Sequence, residues 1–259
     1  MSELPWTSVL RLDRRGFALF ATIDDPASRN AMSDRLIADF EAVLGAIAGD
    51  RSTRALVIKG QDGVFCAGAD LKNTGGDVRV ANVRGGKMFA RINTQPQTVI
   101  AVVNGPALGG GFGLACCADV VLAGPRARFA LTETTIGLIP AQIAPYVVAR
   151  IGLAATRRLA LTAERLDARG AVEMGVADQA HSNEGELNRA VEAVLAGVAR
   201  CAPGASEATK RLLLSLAPVK DAFRSGAAQL FADSLEGPEG REGLAAFAEK
   251  RSPSWIPDS

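Results

Sequence analysis

The sequence predicts an α/β fold, and three observations carry that prediction. Short apolar runs of strand length recur through the first half, at Gly16 to Ile23, Ala55 to Lys59, Thr98 to Val103 and Val120 to Ala123. Segments with apolar residues at helical spacing lie between them, so the periodicity alternates between the two element types. From Pro145 onward helical patterning dominates. The 259 residues, 48% of them hydrophobic, suffice for a sizeable core in one large domain or one domain plus an appendage.

In chain order, Gly16 to Ile23 is expected to pair with an earlier strand near Val9 to Leu12. Ser33 is placed to cap a helix, since its hydroxyl can accept from an orphan N–H. Leu36, Ile37, Phe40, Val43, Leu44 and Ile47 then share one helical face. Ala55 to Lys59 is a short buried strand closed by Gly60, and a polar, glycine-rich stretch, DGVFCAGADLKNTGGD, follows. A helix is expected over Val78 to Ile92, then strands at Thr98 to Val103, Val120 to Ala123 and Phe129 to Leu131. The later helices are expected to break at Gly152, Gly170, Gly175, Pro203 and Pro218. The division that follows is a core over 1–200 and a helical packing or oligomerisation region over 201–259. No repeat or low-complexity segment is present.

Composition narrows the function. Lys plus Arg number 29 against 28 Asp plus Glu, a net charge of +1, which is no electrostatic footprint for nucleic acid. No apolar run is long enough for a bilayer, and the N-terminus lacks a signal-peptide pattern, so a cytoplasmic protein is expected. Cys66, Cys116, Cys117 and Cys201 show neither disulfide nor zinc spacing. With His181 as the one histidine, a His-based triad or a multi-His metal site is not expected.

Two strands run into glycine-rich loops, at VIKGQDGVFCAGADLK and at AVVNGPALGGGFGLACC, where four glycines fall within Gly109 to Gly113. If each loop opens a helix, two positive helix ends with orphan N–H groups can face one point and hold a developing negative oxygen. The plainer alternative is close helix–strand packing. A phosphate cradle is weaker, because neither loop has the P-loop or dinucleotide spacing.

Taken together, FCAGADLK (Phe65 to Lys72), VNGPALGGG (Val103 to Gly111) and FALTETTIGLIP (Phe129 to Pro140) resemble the three signatures of the enoyl-CoA hydratase/isomerase, or crotonase, superfamily. PASRNAM near the N-terminus and EGLAAFAEKR near the C-terminus keep the same register. The resemblance implies a crotonase-like spiral of ββα units with a helical C-terminal trimerisation region. It implies a homotrimer or dimer of trimers, and a CoA thioester as substrate with no cofactor or metal. It puts the oxyanion-hole donors on the N–H groups of Ala69 and Gly110, with Gly109 to Gly111 clearing the approach to the thioester oxygen.

Hydratases of the family typically use two glutamates. One position maps onto Glu133; the other, three residues after Gly110, maps onto Gly113, which has no side chain. A lone Glu133 can hydrate by taking a proton from water and returning it to C2. It can equally shuttle one proton between C4 and C2, which is isomerisation. The stretch TETTIGLIPAQIAPYVVARIG is similar to the methylglutaconyl and isohexenylglutaconyl-CoA hydratase branch, whose members tend to show glycine where Gly113 stands. A glutaconyl chain carries a distal carboxylate, for which Gln142, Arg84 or Lys87 would be partners. For the CoA moiety the register implies Arg29, Ala31, Ala67, Asp70 and Leu71, with Phe247 and Lys250 from the C-terminus. An inert or RNA-binding crotonase, and a hydrolase or decarboxylase on the same scaffold, stay as alternatives.

Overall fold

Residues 3–70, 77–216 and 221–256 are described by the computed structural model. Strands β1 (Leu10–Arg15) and β2 (Ala18–Ile23) pair antiparallel as a hairpin. From β2 the sheet continues in parallel through β3 (Ala55–Gly60), β4 (Thr98–Val103), β6 (Val120–Ala123) and β9 (Gln179–Ala180). A second, three-stranded sheet joins β5 (Pro106–Leu108), β7 (Arg128–Ala130) and β8 (Leu166–Asp167).

The central strands are apolar on both faces because both faces are covered. Leu19, Ala21, Ile23, Leu56, Ile58, Val99, Ala101 and Val103 pack on one side, with α1 (Asp34–Ala48), α2 (Val78–Asn93) and α3 (Gly110–Cys116). Ala18, Phe20, Ala55, Val57, Ile100 and Val102 alternate to the other, against Leu187, Val191 and Leu195 of α6 (Glu184–Arg200). Ser33 caps α1 by accepting from the Leu36 N–H at 3.3 Å, and its helix buries Leu36, Phe40, Val43, Leu44 and Ile47. Each such side chain is worth about 1.5–3 kcal/mol relative to exposure.

Helices α4 (Ala144–Thr162), α5 (Ala168–Glu173), α7 (Pro203–Ser215), α8 (Asp221–Glu236) and α9 (Pro238–Glu249) complete the chain. Gly152 breaks α4 with φ 77°, and Gly175 follows α5 with φ 79°. Gly170 does not break a helix: it lies inside α5, whose N-terminus Asp167 caps through the Gly170 N–H. Pro203 opens α7, and Pro218 lies outside the described residues. Strands β5, β8 and β9 escape sequence patterning because two or three residues show no period. The C-terminal helices return to the body of the fold. Helix α8 packs on α2, and α9 packs on a 3-10 turn, Glu133–Ile136. Leu212, Leu213 and Leu216 of α7 and its end are exposed. Among the described residues no helix is long and apolar enough to cross a membrane.

Candidate active site

The second glycine loop begins where β4 ends. Asn104 pins it to the first loop by donating to the Gly60 carbonyl at 2.8 Å and accepting from the Gly60 N–H at 3.3 Å. Strand β5 then runs parallel to β7 with Leu108 opposite Ala130, and the Gly109 N–H donates to the Ala130 carbonyl at 2.9 Å. Gly109 has φ 50° and ψ −116°, a conformation open to glycine. It turns the chain into α3. Gly110 is the first residue of that helix, so its N–H has no carbonyl a turn below.

The first loop lies alongside. Cys66 bridges to Ala107, donating from its N–H to the Pro106 carbonyl at 3.0 Å, and the Leu108 N–H donates back to Cys66 at 3.0 Å. Met32 bridges to Ala69, and its N–H donates to the Gly68 carbonyl at 2.7 Å. These bridges bring the Ala69 nitrogen to 3.8 Å from where a Cβ on Gly110 would stand. Ala69 is exposed, and its N–H donates in none of the described backbone hydrogen bonds. The two loops thus bring the Ala69 and Gly110 backbones side by side. Gly110 stands at a helix end, while residues 71–76, after the first loop, lie outside the described residues.

Asn30 supports this loop and was not singled out from the sequence. Its side chain is buried, accepts from the Asp25 N–H at 2.8 Å, and donates to the carbonyls of Gln61 at 3.2 Å and Val64 at 2.7 Å. Its φ of 60° follows Arg29 at 57°, and the one local signal was the tolerance of asparagine for that region.

Glu133 follows from the β5–β7 register. With Ala130 held on Gly109, the next turn of chain places the Glu133 Oε1 3.0 Å from where a Cβ on Gly109 would stand. Its Oε2 is shielded from solvent and accepts no hydrogen bond among the described residues. Burial pushes the carboxyl up to about 7, against the opposing pull of its own N–H and that of Thr132. The turn is tied to α4 by the Thr134 hydroxyl, which donates to the Ala160 carbonyl at 2.8 Å.

Gly113 is buried one helical turn beyond Gly109. A Cβ there would stand 2.1 Å from the Ile143 Cγ2 and 2.5 Å from its Cβ. Ile143 therefore fills the space in which a side chain at position 113 would begin. The neighbouring Gln142 is buried as a clamp between helices: its Nε2 donates to Asn82 Oδ1 at 2.8 Å and to the Arg224 carbonyl at 2.9 Å. Arg84 is paired with Glu41 at 3.1 Å and Asp34 at 3.7 Å, while Lys87 is exposed on α2.

Of the residues assigned to CoA, Ala31 is buried, Ala67 and Asp70 are half-buried beside the bridge, and Arg29 is exposed. Leu71 lies outside the described residues. Phe247 and Lys250 are exposed at the end of α9. Burial pushes the Cys66 and Cys116 thiols up to about 12 and the Cys117 thiol well above its usual value, so none offers a thiolate near neutral pH. What remains is two neighbouring loop N–H groups, of Ala69 and Gly110, and one desolvated carboxyl. That arrangement can hold a negative oxygen and move a proton beside it.

A family model described as enoyl-CoA hydratase/isomerase matches residues 18–257. The 2,3-dehydroadipyl-CoA hydratase of Escherichia coli strain K12 is 32% identical over 254 residues, 96% of this chain and 98% of its own. The carnitinyl-CoA dehydratase of Proteus mirabilis is 31% identical over 256 residues, 95% of this chain and 97% of its own. Among solved structures, Pseudomonas aeruginosa AtuE matches with a TM-score of 0.79 at 43% identity, covering 96% of this chain and 100% of that one.

Proposed function

The chain belongs to the enoyl-CoA hydratase/isomerase family, and from that membership we propose that it hydrates a 2-enoyl-CoA thioester. The N–H groups of Ala69 and Gly110 form the oxyanion hole, and Glu133 is the one acid–base group. The observation that carries this is a buried carboxyl set against Gly109, next in the chain to the Gly110 donor. Water oxygen adds to C3 as the Glu133 carboxylate takes one water proton. The C2=C3 electrons move onto the thioester oxygen, which the two N–H groups stabilise. Glu133 then returns its proton to C2. A carboxyl held near 7 suits both halves, because it gives and takes a proton with similar ease at neutral pH. With Ile143 against Gly113, both transfers fall to Glu133.

The substrate class we propose is a branched glutaconyl-CoA, whose distal carboxylate needs a cationic or amide partner. The name of the Escherichia coli relative, with its dicarboxylic acyl group, supports an acidic chain. Gln142, Arg84 and Lys87 are the candidate partners, the first two already bonded to Asn82 and Glu41. CoA would lie along Arg29, Ala31, Ala67, Asp70 and Leu71, with Phe247 and Lys250 from α9. The working form is a cytoplasmic homotrimer or dimer of trimers, a state supported by the exposed leucines 153, 161, 212, 213, 216 and 230. Residues 1–200 are the catalytic core and 201–259 the assembly region.

The test is an assay in H₂¹⁸O with crotonyl-CoA, 3-methylglutaconyl-CoA and a 3-enoyl-CoA. Incorporation of ¹⁸O into a 3-hydroxyacyl product is expected, fastest with the glutaconyl thioester. A faster crotonyl-CoA reaction overturns the substrate class. A 2-enoyl product formed from the 3-enoyl substrate without ¹⁸O overturns hydration in favour of isomerisation.

A further inference from the structure

The 3-10 turn that carries Glu133 is closed by its own backbone, with the Thr135, Gly137 and Leu138 N–H groups donating to the carbonyls of Thr132, Thr134 and Glu133. It is four residues long, and Thr132 at its start makes no side-chain cap. Its place against the rest of the fold is fixed in part from the far end of the chain. A Cβ on Gly243, in α9, would stand 2.2 Å from the Ile136 carbonyl oxygen. A Cβ on Gly137 would stand 2.4 Å from the Glu239 carbonyl oxygen. Backbone meets backbone at both points with no side chain between. Near the end of α8, the Ser234 hydroxyl donates to the Gly137 carbonyl at 2.7 Å.

These contacts grip residues 136 and 137, while Thr134 is tied to α4 on the other side. Glu133 is next in the chain to Thr134, and glycine at 109 leaves room for its carboxyl, whose Oε1 lies 3.0 Å from where a Cβ there would stand. We infer that Gly243 of α9 and Ser234 of α8 are positioning residues, which hold the turn that carries Glu133 and through it set where the carboxyl stands beside Gly109. The C-terminal helices therefore complete the acid–base site of their own chain, besides any part they take in assembly. The inference rests on the proposed role of Glu133. A displacement of about 1 Å at a reacting group can lower turnover on the order of a hundredfold, so a small slip of this turn has a large effect.

The test uses full-length Ser234→Ala, Ser234→Thr, Gly243→Ala and Glu133→Gln. The Glu133 carboxyl is titrated by ¹³C NMR in the ligand-free protein, its signal assigned by loss in Glu133→Gln. Turnover is read with the fastest thioester of the ¹⁸O panel. Ser234→Ala is expected to move the titration midpoint down from near 7 toward ordinary carboxylates and to lower kcat about tenfold, with KM changed less than twofold. Ser234→Thr, which keeps the hydroxyl, should restore both. Gly243→Ala should exceed Ser234→Ala; if it does not fold, the serine pair carries the test. A wild-type midpoint and kcat in Ser234→Ala overturn the inference. Wild-type turnover in Glu133→Gln would instead overturn the role of Glu133, a separate result.

Discussion

Ile143 stands in the place that a side chain at position 113 would need, its Cγ2 2.1 Å from where a Cβ on Gly113 would be. The glycine is thus a close-packing residue between α3 and α4. The second carboxylate of the two-glutamate pattern is not merely missing here; an apolar side chain fills its origin.

Gly113→Glu should therefore fail to add a second acid–base group. The new side chain would collide with Ile143 and bring a charge into an apolar wall. A destabilisation of at least about 1–3 kcal/mol is expected from overpacking alone. Urea denaturation with and without a compensating Ile143→Ala checks this. The double variant should recover part of the loss, and purely additive effects would contradict the collision.

Glu133→Gln keeps the shape of the side chain and removes its proton chemistry. On the proposed mechanism kcat should fall by about 10²–10⁴. Binding of a non-reactive acyl-CoA, measured by calorimetry, should stay within a few-fold of wild type. Undiminished turnover would take Glu133 out of the chemistry.

The raised Glu133 carboxyl gives activity and stability opposite pH dependences. As a base, Glu133 must start ionised, so kcat/KM should rise with pH through about 7 and then level off. Stability should run the other way. The folded carboxyl titrates above its ordinary value of 4.5, so the fold binds a proton that the unfolded chain has released between 4.5 and about 7. Stability falls across that window as pH rises, by up to about 3 kcal/mol. The gain in stability from Glu133→Gln should accordingly be larger at pH 8 than at pH 5, as read by urea midpoints.

Asn30→Ala removes a buried side chain that joins Asp25 to Gln61 and Val64. Leaving those backbone groups unmatched should cost about 1–3 kcal/mol. Because the same loop aligns Ala69 with Gly110, kcat should drop as well. A variant with normal kcat and lowered melting temperature would confine Asn30 to stability.

Much of the fold was legible in the chain. Thr98–Val103 and Val120–Ala123 are strands at the expected bounds, and Ser33 caps the helix expected after it. These elements are local: a period or a cap is written into neighbouring residues. The short strands β5, β8 and β9 exist only because a partner strand is present, so no run of their own announces them. Gly170 misled because a helix can carry a glycine where Asp167 caps its first turn.

The site divides in the same way. By itself the sequence determined which residue types were available: two glycine loops after two strands, one acidic residue in the third motif, and no carboxylate at Gly113. Tertiary structure decided what those residues face. The Cys66–Ala107 and Met32–Ala69 bridges bring the two loops together, and β5–β7 pairing carries Glu133 over Gly109. Packing gave position 113 to Ile143, tied Gln142 between α2 and α8, and seated α9 on the Glu133 turn. The physical reason is range. Periodicity and capping depend on residues a few positions apart. Burial, register and the raised carboxyl of Glu133 depend on atoms that only the folded chain brings within a few ångströms.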